Sequence, residues 1–504
     1  AEFETARRRG KGRRPRRSVA AAKPRANRRV ERRQGILAAA LKEFSARGFA
    51  AARLDDVADA AGIAKGTIYL YFRDKEALFQ ELIRSVIGPL VARFEAAAEI
   101  DLPARVVAER IVDMFVREVY GTRRKDVIRL IIAEGPRFPK LAEFYYREVI
   151  SRVIAAVRAL LRRASERGEI GADALAAIED QAIEAVIRKQ EAVGLKAVTD
   201  GEFRRASWQT DFLVGLDGVE SYYGERKMLF KGPQPRPILL RLKHRLGAFH
   251  GHPMLAHFRF VAAHAKVAAK MTIPSPSTLH FRYGRDAVPE SIYPDMEDFY
   301  RDLGRSYAQV VRAFADAGCR YLQLDEVNLA YLCDPALREQ VRARGDDPDA
   351  LPTIYADMIN AAISDIPADM TITMHLCRGN FRSSFVASGG YDPVAEILFN
   401  KIKVHGYFME YDSERAGSFK ALRLVPGNKA VVLGLVTSKS GMLESKDTIK
   451  RRIEAATEFI GIEQLCLSPQ CGFASTEEGN ILNEEEQWAK LRMIVDVAQE
   501  VWGS

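Results

Sequence analysis

The spacing of hydrophobic positions changes near residue 172 of the chain. Between about residues 30 and 168, apolar side chains recur every three or four positions, which is the period of amphipathic helices. After residue 172, short apolar runs alternate with longer helical stretches. The pattern therefore predicts a multidomain protein with an all-α part followed by an α/β part.

The helical part begins with a pattern of three helices separated by short turns. A first helix over 30–47 ends at Gly48, a short helix follows over 54–61, and Gly62 can turn the chain into a third helix over 65–72. The small residues Ala60, Ala61 and Gly66 allow close crossing, which is typical of a helix-turn-helix. The alternative is a small helical hairpin whose tyrosines only fill a core.

The segment LDDVADAAGIAKGTIYLYFRDKEALF, residues 54–79, resembles the DNA-binding motif of TetR-type repressors. The resemblance implies DNA contacts from five side chains: Lys65, Thr67 and Tyr69 on a recognition helix, and Tyr71 and Lys75 at phosphates. It also implies a homodimer on a pseudo-palindromic operator, with residues 81–170 as the dimerisation or ligand domain. This chain has Arg53 or Leu54 where the family usually has Thr, and Ala64 where it usually has Ser.

Positive charge is concentrated before the first helix. The net charge is +9, while residues 1–34 contain 14 Lys and Arg against 3 acidic residues. Residues 1–28 have almost no large apolar side chains, so they are expected to form a basic disordered arm that contributes salt-dependent affinity for DNA. The alternative is a solubilising tail. The expected domains are 1–28, 29–80, 81–170 and 172–504.

The α/β part contains seven strand-like apolar runs, and helical patterns separate most of them. This order predicts parallel strands with crossover helices, and the length suits a TIM-type (β/α)8 barrel that lacks its first strand. The runs cover 195–202, 269–275, 320–326, 370–377, 405–411, 430–437 and 465–471.

Metal-binding side chains stand at the ends of three of these runs. His375 and Cys377 are two residues apart and so face one side of a strand, Glu410 ends a second run and Cys471 ends a third. A single buried Cys or His is usually packing. Four such residues at one end of a barrel predict a metal site, and their mixed N, S and O ligands favour Zn2+.

Five motifs between about residues 178 and 502 resemble cobalamin-independent methionine synthases of the short, single-barrel form. They are E-D-Q-A-I, Q-E-x-x-G-L-x-x-V-T-D-G-E-F, L-Q-L-D-E, H-L-C and S-P-Q-C-G-F. The resemblance implies a zinc enzyme that transfers a methyl group from a methylfolate polyglutamate to homocysteine, with the four residues above as ligands. It also implies that Glu202 and Asp325 hold the amino group of homocysteine; on their own, both would be strand-end carboxylates.

The H-x-G-S-x-x-R-P segment of the family's first strand is absent, which keeps several functions open. The barrel could be a methyltransferase fused to a DNA-binding module, it could activate another small thiol, or it could be a non-catalytic ligand sensor of a transcriptional regulator. A fusion of two truncated genes is a further alternative. The five cysteines and the absence of a long apolar run lead us to expect a cytoplasmic protein without a membrane segment.

Overall fold

The computed structural model describes residues 25–120, 122, 124–134, 138, 141, 144–224, 230–232, 238–476 and 479–503. The chain divides into two compact units, Ala1–Ala164 and Ser165–Ser504. Of the predicted basic arm, residues 1–24 lie outside the described residues, and residues 25–28 already belong to the first helix. Among the described helices, none combines the length and the apolar character that a membrane crossing requires.

The first unit is helical throughout its described residues. Its hydrophobic core includes Phe44, Phe49 and Phe79, whose rings pack with centroids 5.0–5.7 Å apart. The helices are α1 (Arg25–Ala51), α2 (Leu54–Ala60), α3 (Lys65–Tyr69), α4 (Lys75–Val86), α5 (Gly88–Ala98), α6 (Ala104–Phe115), α7 (Arg124–Glu134) and α8 (Ser151–Glu166), with π-helical turns at Val116–Tyr120 and Tyr146–Ile150.

Two glycines set the directions of the helices, as the sequence predicts. Gly48 has φ 75° and ψ 165° and interrupts α1, and Gly62 has φ 66° between α2 and α3. A side chain at either position would be strained, because positive φ is costly for residues with a Cβ. The third helix is shorter than predicted, since α3 ends at Tyr69. The helix-turn-helix arrangement itself is confirmed.

The second unit is built on parallel strands that follow the predicted runs. The strands of the parallel sheets are β1 (Ala197–Val198), β4 (Ala268–Ala269), β5 (Met271–Pro274), β6 (Tyr321–Asp325), β7 (Thr371–Leu376), β8 (Gly406–Glu410), β9 (Ala430–Val436) and β10 (Leu465–Pro469). The six strands from β5 to β10 pair in the order of the chain, and β1 pairs with β4. Pairing in chain order is the arrangement of a singly wound barrel.

Helices connect these strands and cover the sheet. Helix α13 packs on α16 along one face, and its buried side includes Phe299, Leu303 and Val310. The helices are α9 (Ala172–Val193), α10 (Thr210–Leu213), α11 (Pro253–His264), α12 (Ser277–Phe281), α13 (Met296–Asp316), α14 (Val327–Tyr331), α15 (Pro335–Ala343), α16 (Leu351–Ala362), α17 (Lys446–Thr457) and α18 (Glu484–Trp502), with short 3-10 or π turns at Gly284–Asp286, Ile397–Lys401, Glu414–Ala416, Phe419–Leu424 and Ile462–Gln464.

One structural element was absent from the sequence-based prediction. Strands β2 (Val219–Tyr223) and β3 (Ile238–Leu242) form an antiparallel hairpin after α10. In the described part, β10 pairs with β9 on one side only, and β1 is preceded directly by α9. The lack of a first strand and the closure of the barrel stay predictions.

The register of the sheet fixes which side chains share a face. Asp325 of β6 lies opposite His375 of β7, and Gln323 lies opposite Thr373. The intervening residues, such as Leu324 and Met374, are fully buried. Polar side chains from neighbouring strands therefore meet on the inner face of the barrel.

Candidate metal centre and DNA-binding face

Two thiols and one imidazole come together where β7 and β10 end. His375 is the fifth residue of β7 and Cys377 directly follows the strand, so alternation places both on the inner face. The pairing of β10 shifts between Ser468 and Pro469, just before Cys471. One ligand atom from each of His375, Cys377 and Cys471 lies within 4.8 Å of the others.

The spacing of these atoms fits a tetrahedral zinc ion. Nε2 of His375 lies 3.6 Å from Sγ of Cys471. With Zn–S bonds near 2.3 Å and Zn–N bonds near 2.0 Å, adjacent ligand atoms of a tetrahedral site are roughly 3.5 Å apart. Within the described residues, no other group of three His, Cys, Asp or Glu side chains has this spacing.

Interactions within the cluster of His375, Cys377 and Cys471 shift the pKa values of its two thiols in opposite directions. A hydrogen bond from the Cys377 thiol, together with His375, lowers the pKa of Cys471 well below its usual value against the effect of burial. The same hydrogen bond, with burial, raises the pKa of Cys377. Burial alone would lower the pKa of His375, but the Cys471 sulfur raises it. One thiolate, the form that binds a metal, is therefore favoured before any metal enters.

Glu410 lies outside this three-atom group. It ends β8 and is fully buried. Its carboxylate accepts hydrogen bonds from the Arg415 guanidinium, from the backbone N–H of Arg378 at 2.7 Å and from Nε2 of Gln470 at 3.1 Å. Burial opposes ionisation, but Lys439, Arg415 and Arg378 hold the pKa of Glu410 below its usual value. Its role as fourth ligand stays a prediction.

Arg378 positions the chain between the cluster and Glu410, although the sequence analysis did not single it out. Its Nη1 donates to the hydroxyl of Tyr391 at 2.8 Å and to the Glu410 carbonyl at 3.3 Å, and Nε donates to the Gly389 carbonyl at 3.0 Å. The Tyr391 hydroxyl also accepts from the backbone N–H of Glu410 at 3.0 Å. A buried guanidinium adjoining Cys377 in sequence was the available signal.

Glu202 lies in a turn after β1 and has left-handed backbone geometry, with φ 58°. Oε1 accepts hydrogen bonds from Oγ1 of Thr272 at 2.9 Å and from Nη1 of Arg205 at 3.1 Å. Burial raises the pKa of Glu202 to about 7, against Arg205, and the negative charge of Asp325 adds to the rise. Arg205 therefore offsets only part of the cost of burying the negative charge of Glu202.

Asp325 ends β6 on the same inner face as His375. Its Oδ1 accepts a hydrogen bond from Nε2 of Gln323 at 2.7 Å, and burial raises its pKa although His375 opposes the rise. Asp325 and Glu202 thus form a pair of acidic groups near the cluster, each with a raised pKa. Such a pair is suited to binding a cation.

Lys439 is a second residue that the sequence analysis missed. It follows β9, and its buried Nζ has no hydrogen-bond partner among the described residues. Its charge lowers the pKa of both Glu410 and Cys471. A lysine three residues beyond a buried strand was the available signal, and it places a cation beside the metal-binding side chains.

In the helix-turn-helix, three candidate residues are on α3. Tyr69 is exposed and Thr67 is half-buried. Lys65 is exposed but pairs with Asp55 of α2 at 2.9 Å. Tyr71 is half-buried, and the Arg29 guanidinium lies 5.9 Å from its ring centroid. The structure brings these side chains to one helix and the turn after it, and their DNA contacts stay predictions.

Lys75 has a structural role that the sequence did not reveal. Its Nζ donates to the carbonyls of Phe49, Ala50 and Ala52 at 2.7, 3.0 and 3.1 Å. It thereby satisfies carbonyl groups at the end of α1, and burial lowers its pKa. A DNA phosphate at this position would have to compete with three carbonyl groups for the ammonium of Lys75.

These features define a class of protein: a parallel α/β barrel with a Cys2His donor set at the carboxyl ends of its strands, joined to a unit that contains a helix-turn-helix. Family comparison identifies both parts. Residues 36–82 match the bacterial regulatory proteins of the tetR family, residues 108–207 match the tetracyclin repressor-like C-terminal domain, and residues 287–500 match the catalytic domain of the cobalamin-independent synthases.

Individual relatives agree. The uncharacterised protein YxjH of Bacillus subtilis is 48% identical over 343 residues, which are 68% of this chain and 90% of that protein. A Listeria monocytogenes crystal structure, provisionally assigned as a vitamin-B12-independent methionine synthase, is 40% identical with a TM-score of 0.53 over 68% of this chain and 93% of its own. The Pyrococcus abyssi methionine synthase is 25% identical over 307 residues, 59% of this chain and 76% of that protein. The chain belongs to the cobalamin-independent methionine synthase family and carries a TetR-type domain at its N-terminal end.

Proposed function

We propose that the barrel transfers a methyl group to the thiol of homocysteine in a Zn2+-dependent reaction and that the TetR-type unit binds this enzyme to DNA. One observation carries the proposal: the His375, Cys377 and Cys471 donor set adjoins the acidic pair Glu202 and Asp325 on the inner face of the barrel. A thiol and an amino group of one small substrate therefore have adjacent binding groups.

His375, Cys377 and Cys471 would hold the metal, with Glu410 as the fourth ligand. Zinc bound there would lower the pKa of a substrate thiol and so supply a nucleophile at neutral pH. Arg415 and Gln470 hold Glu410 at the end of β8, and Arg378 fixes the segment that follows Cys377. The protein thus keeps its donor side chains in place through buried hydrogen bonds.

Glu202 and Asp325 would bind the ammonium group of homocysteine. Burial and, to a lesser extent, the negative charge of Asp325 raise the pKa of Glu202, and an ammonium between the two carboxylates would offset both effects. Thr272 and Arg205 hold the Glu202 carboxylate, and Gln323 holds that of Asp325. These contacts fix the direction in which the substrate sulfur enters the cluster.

The methyl donor in this proposal is a methylfolate polyglutamate. The sulfur forms a bond to the methyl carbon while the bond from that carbon to N5 of the folate breaks, and N5 takes up a proton. Lys439 contributes a cation on the same face. Another small thiol could replace homocysteine, because the metal recognises the sulfur and only the acidic pair recognises the amino group.

The test is methionine formation by the full chain reconstituted with Zn2+, given homocysteine and methyltetrahydrofolate triglutamate and followed by mass spectrometry. We expect turnover in the unmodified chain and its loss in Cys471→Ser. Asp325→Asn should raise KM for homocysteine much more than it lowers zinc occupancy. Stoichiometric zinc without transfer to homocysteine or coenzyme M would overturn the enzymatic proposal.

The second candidate is a regulator whose barrel senses a ligand without catalysis. The observation that favours it is the sheet topology, in which β10 pairs only with β9 within the described residues. Operator affinity distinguishes the two candidates. A sensor should change its affinity for a pseudo-palindromic duplex when homocysteine is added, even in the absence of a methyl donor.

For the DNA-binding part we propose a homodimer formed through residues 81–170, with α3 in the major groove. The exposed Tyr69 would contact base edges and Tyr71 would contact phosphate. Tyr71→Ala should weaken binding to all sequences about equally, whereas Tyr69→Ala should also change sequence preference. Electrophoretic mobility shifts on operator and scrambled duplexes measure both effects.

A further inference from the structure

The barrel contains a cavity of about 630 Å³ at the end opposite the metal cluster. Its lining includes residues at the beginnings of strands, such as Ala268, Tyr321, Thr371 and Ala430. The cluster lies at the carboxyl ends of the same strands. We call this space the base cavity.

The alternation of side chains explains why the base cavity faces the interior. Thr371 and Thr373 belong to the same face of β7 as His375. Cys466 of β10 and Val432 of β9 are cross-strand partners, and both line the cavity. Cys466 is exposed although it stands within a strand. The interior is therefore open at this end rather than filled by side chains.

The lining suits a largely apolar ligand. The rings of Phe258, Tyr321 and Phe408 contribute to the wall together with small aliphatic side chains, and no carboxylate is among the described residues that line it. A volume of about 630 Å³ lies within the range of small-molecule sites. Two basic side chains of the lining already have partners: the Arg320 guanidinium pairs with Asp369 at 2.7 Å, and Nδ1 of His405 accepts a hydrogen bond from the backbone N–H of Ile372 at 3.0 Å.

A further cation, Lys270, adjoins two of these rings without being a lining residue itself. Nζ of Lys270 lies 3.9 Å from the ring centroid of Phe408 and 4.9 Å from that of Tyr321. It has no hydrogen bond or ion pair among the described residues, and the side chain is only half-buried. Burial lowers its pKa to about 8, so the amine is still mainly protonated at neutral pH. The negative charge of Asp325 acts on this ammonium, but an anion could approach Nζ without breaking a hydrogen bond among the described residues.

We propose that the base cavity is a second ligand site of the barrel and that it binds a flat, apolar molecule bearing one anionic group, such as an aromatic carboxylate or sulfonate. The rings and aliphatic side chains bury the apolar body, and Lys270 pairs with the anion. This site lies at the end of the barrel opposite the metal cluster and does not depend on the methyl-transfer proposal, although the charge of Lys270 also acts on His375.

The probe for this site is 8-anilinonaphthalene-1-sulfonate, titrated against the full chain by fluorescence. Cys466 gives an independent readout, because Cys319, Cys333 and Cys377 are buried, and fragment ions in tandem mass spectrometry distinguish its alkylation from that of the half-buried Cys471. We expect saturating probe to slow alkylation of Cys466 by N-ethylmaleimide at least tenfold, as followed by peptide mass spectrometry. This measurement uses the unmodified chain and needs no folded variant.

Variants locate the bound probe. Val432→Trp and Ala268→Trp narrow the base cavity and should each weaken probe binding at least tenfold. Met442→Trp, at a position 79% exposed, is the matched control and should leave binding unchanged. Lys270→Met should weaken binding of the sulfonate about tenfold and leave the uncharged N-phenyl-1-naphthylamine unaffected. Circular dichroism confirms that each variant is folded.

Two results would overturn the proposal. One is an unchanged alkylation rate at Cys466 in the presence of saturating probe, which would mean that the probe binds elsewhere or that another segment fills the cavity. The other is equal probe affinity in the unmodified chain and in both folded tryptophan variants.

Discussion

At the scale of single residues, the acidity of Cys471 links the structure of the barrel to its chemistry. The Cys377 thiol and His375 both favour the thiolate of Cys471. We expect Cys471→Ser to lose zinc, because serine replaces a thiolate ligand by a neutral hydroxyl. Elemental analysis of the purified chain measures the loss, from about one zinc per chain to less than one tenth.

Cys466→Ser is the matched control for this prediction, since Cys466 lies on β10, the strand that precedes Cys471, but away from the cluster. It should retain full zinc content. A stoichiometric zinc in Cys471→Ser would show that this sulfur is not a ligand.

Glu202 gives a pH-dependent prediction about stability. Its pKa is about 7 in the folded chain and about 4.5 as the reference value. Between these values the folded state binds more protons than the unfolded state, so the contribution of this group to stability falls as pH rises from about 4.5 to about 7. Glu202→Gln removes the free-energy cost of burying this negative charge and should stabilise the barrel unit at pH 8 by on the order of 2 kcal/mol.

Thermal unfolding at pH 5 and pH 8 measures the effect. The gain in Tm from Glu202→Gln should be larger at pH 8 than at pH 5, while the exposed Glu463→Gln should show no such difference. Equal gains at both pH values would mean that burial does not penalise the charge of Glu202. The stabilised variant should bind homocysteine poorly.

Alternation along one strand was enough to bring His375 and Cys377 to one side from sequence alone, whereas Asp325 was predicted only as a carboxylate at the end of its strand. It could not predict that Arg415 holds the carboxylate of Glu410, because that guanidinium comes from a loop whose path depends on the folded sheet. Lys439 was missed for the same reason. The alternation of side chains therefore predicts which face of the sheet a strand residue occupies, but it does not predict which loop residues contact it.

At the scale of elements, the helix-turn-helix lacks a common stabilising feature. Ala64 is the N-cap of α3 and offers no side-chain acceptor to the first N–H groups of the helix. Its extended backbone, with φ −68° and ψ 143°, is suitable for a serine cap. Ala64→Ser should therefore stabilise the helical unit by about 1 kcal/mol.

Urea denaturation followed by circular dichroism measures this gain. Ala92→Ser, on the exposed face of α5, makes the same chemical change inside a helix and should be neutral or slightly destabilising. Stabilisation by both substitutions, or by neither, would contradict the capping argument.

The elements that sequence analysis predicted and missed differ in how local their signals are. Parallel strands were predicted because each is a continuous apolar run. The hairpin of β2 and β3 was missed because β2 carries exposed polar or aromatic residues such as Ser221 and Tyr223, and because the intervening residues include Gly232 and three prolines. Its cross-strand pairing is a property of the folded chain.

At the scale of the whole molecule, charge outside the described residues should control the salt dependence of DNA binding. Residues 1–24 precede α1 and are rich in Arg and Lys. Each phosphate contact contributes roughly 0.9 to the slope of log affinity against log salt concentration. Deletion of residues 1–24 should flatten that slope in fluorescence anisotropy titrations. A chain with glutamine at each Lys and Arg of this segment is the control for length and should be equally flat; an unchanged slope would mean that the segment does not contact DNA.

The barrel gives the second prediction at this scale. We expect that an H-x-G-S-x-x-R-P strand grafted before residue 172 raises methyl-transfer turnover, because positional slack of about 1 Å can cost about a hundredfold in rate. Zinc content should not change, since the candidate ligands come from β7, β8 and the end of β10. Rates are compared at equal zinc occupancy with a scrambled graft of the same length. A folded graft without any gain would favour the sensor candidate.

The two units have separate hydrophobic cores, one assembled from residues before Ala164 and the other from residues after it. Packing in one core cannot compensate for a defect in the other. A protease that degrades either unit nevertheless destroys the intact chain, and both activities are lost with it. Cellular abundance should therefore follow the less stable unit. Synthesis as one polypeptide also supplies regulator and barrel in equal numbers, so a single substitution in either core changes the dosage of both activities.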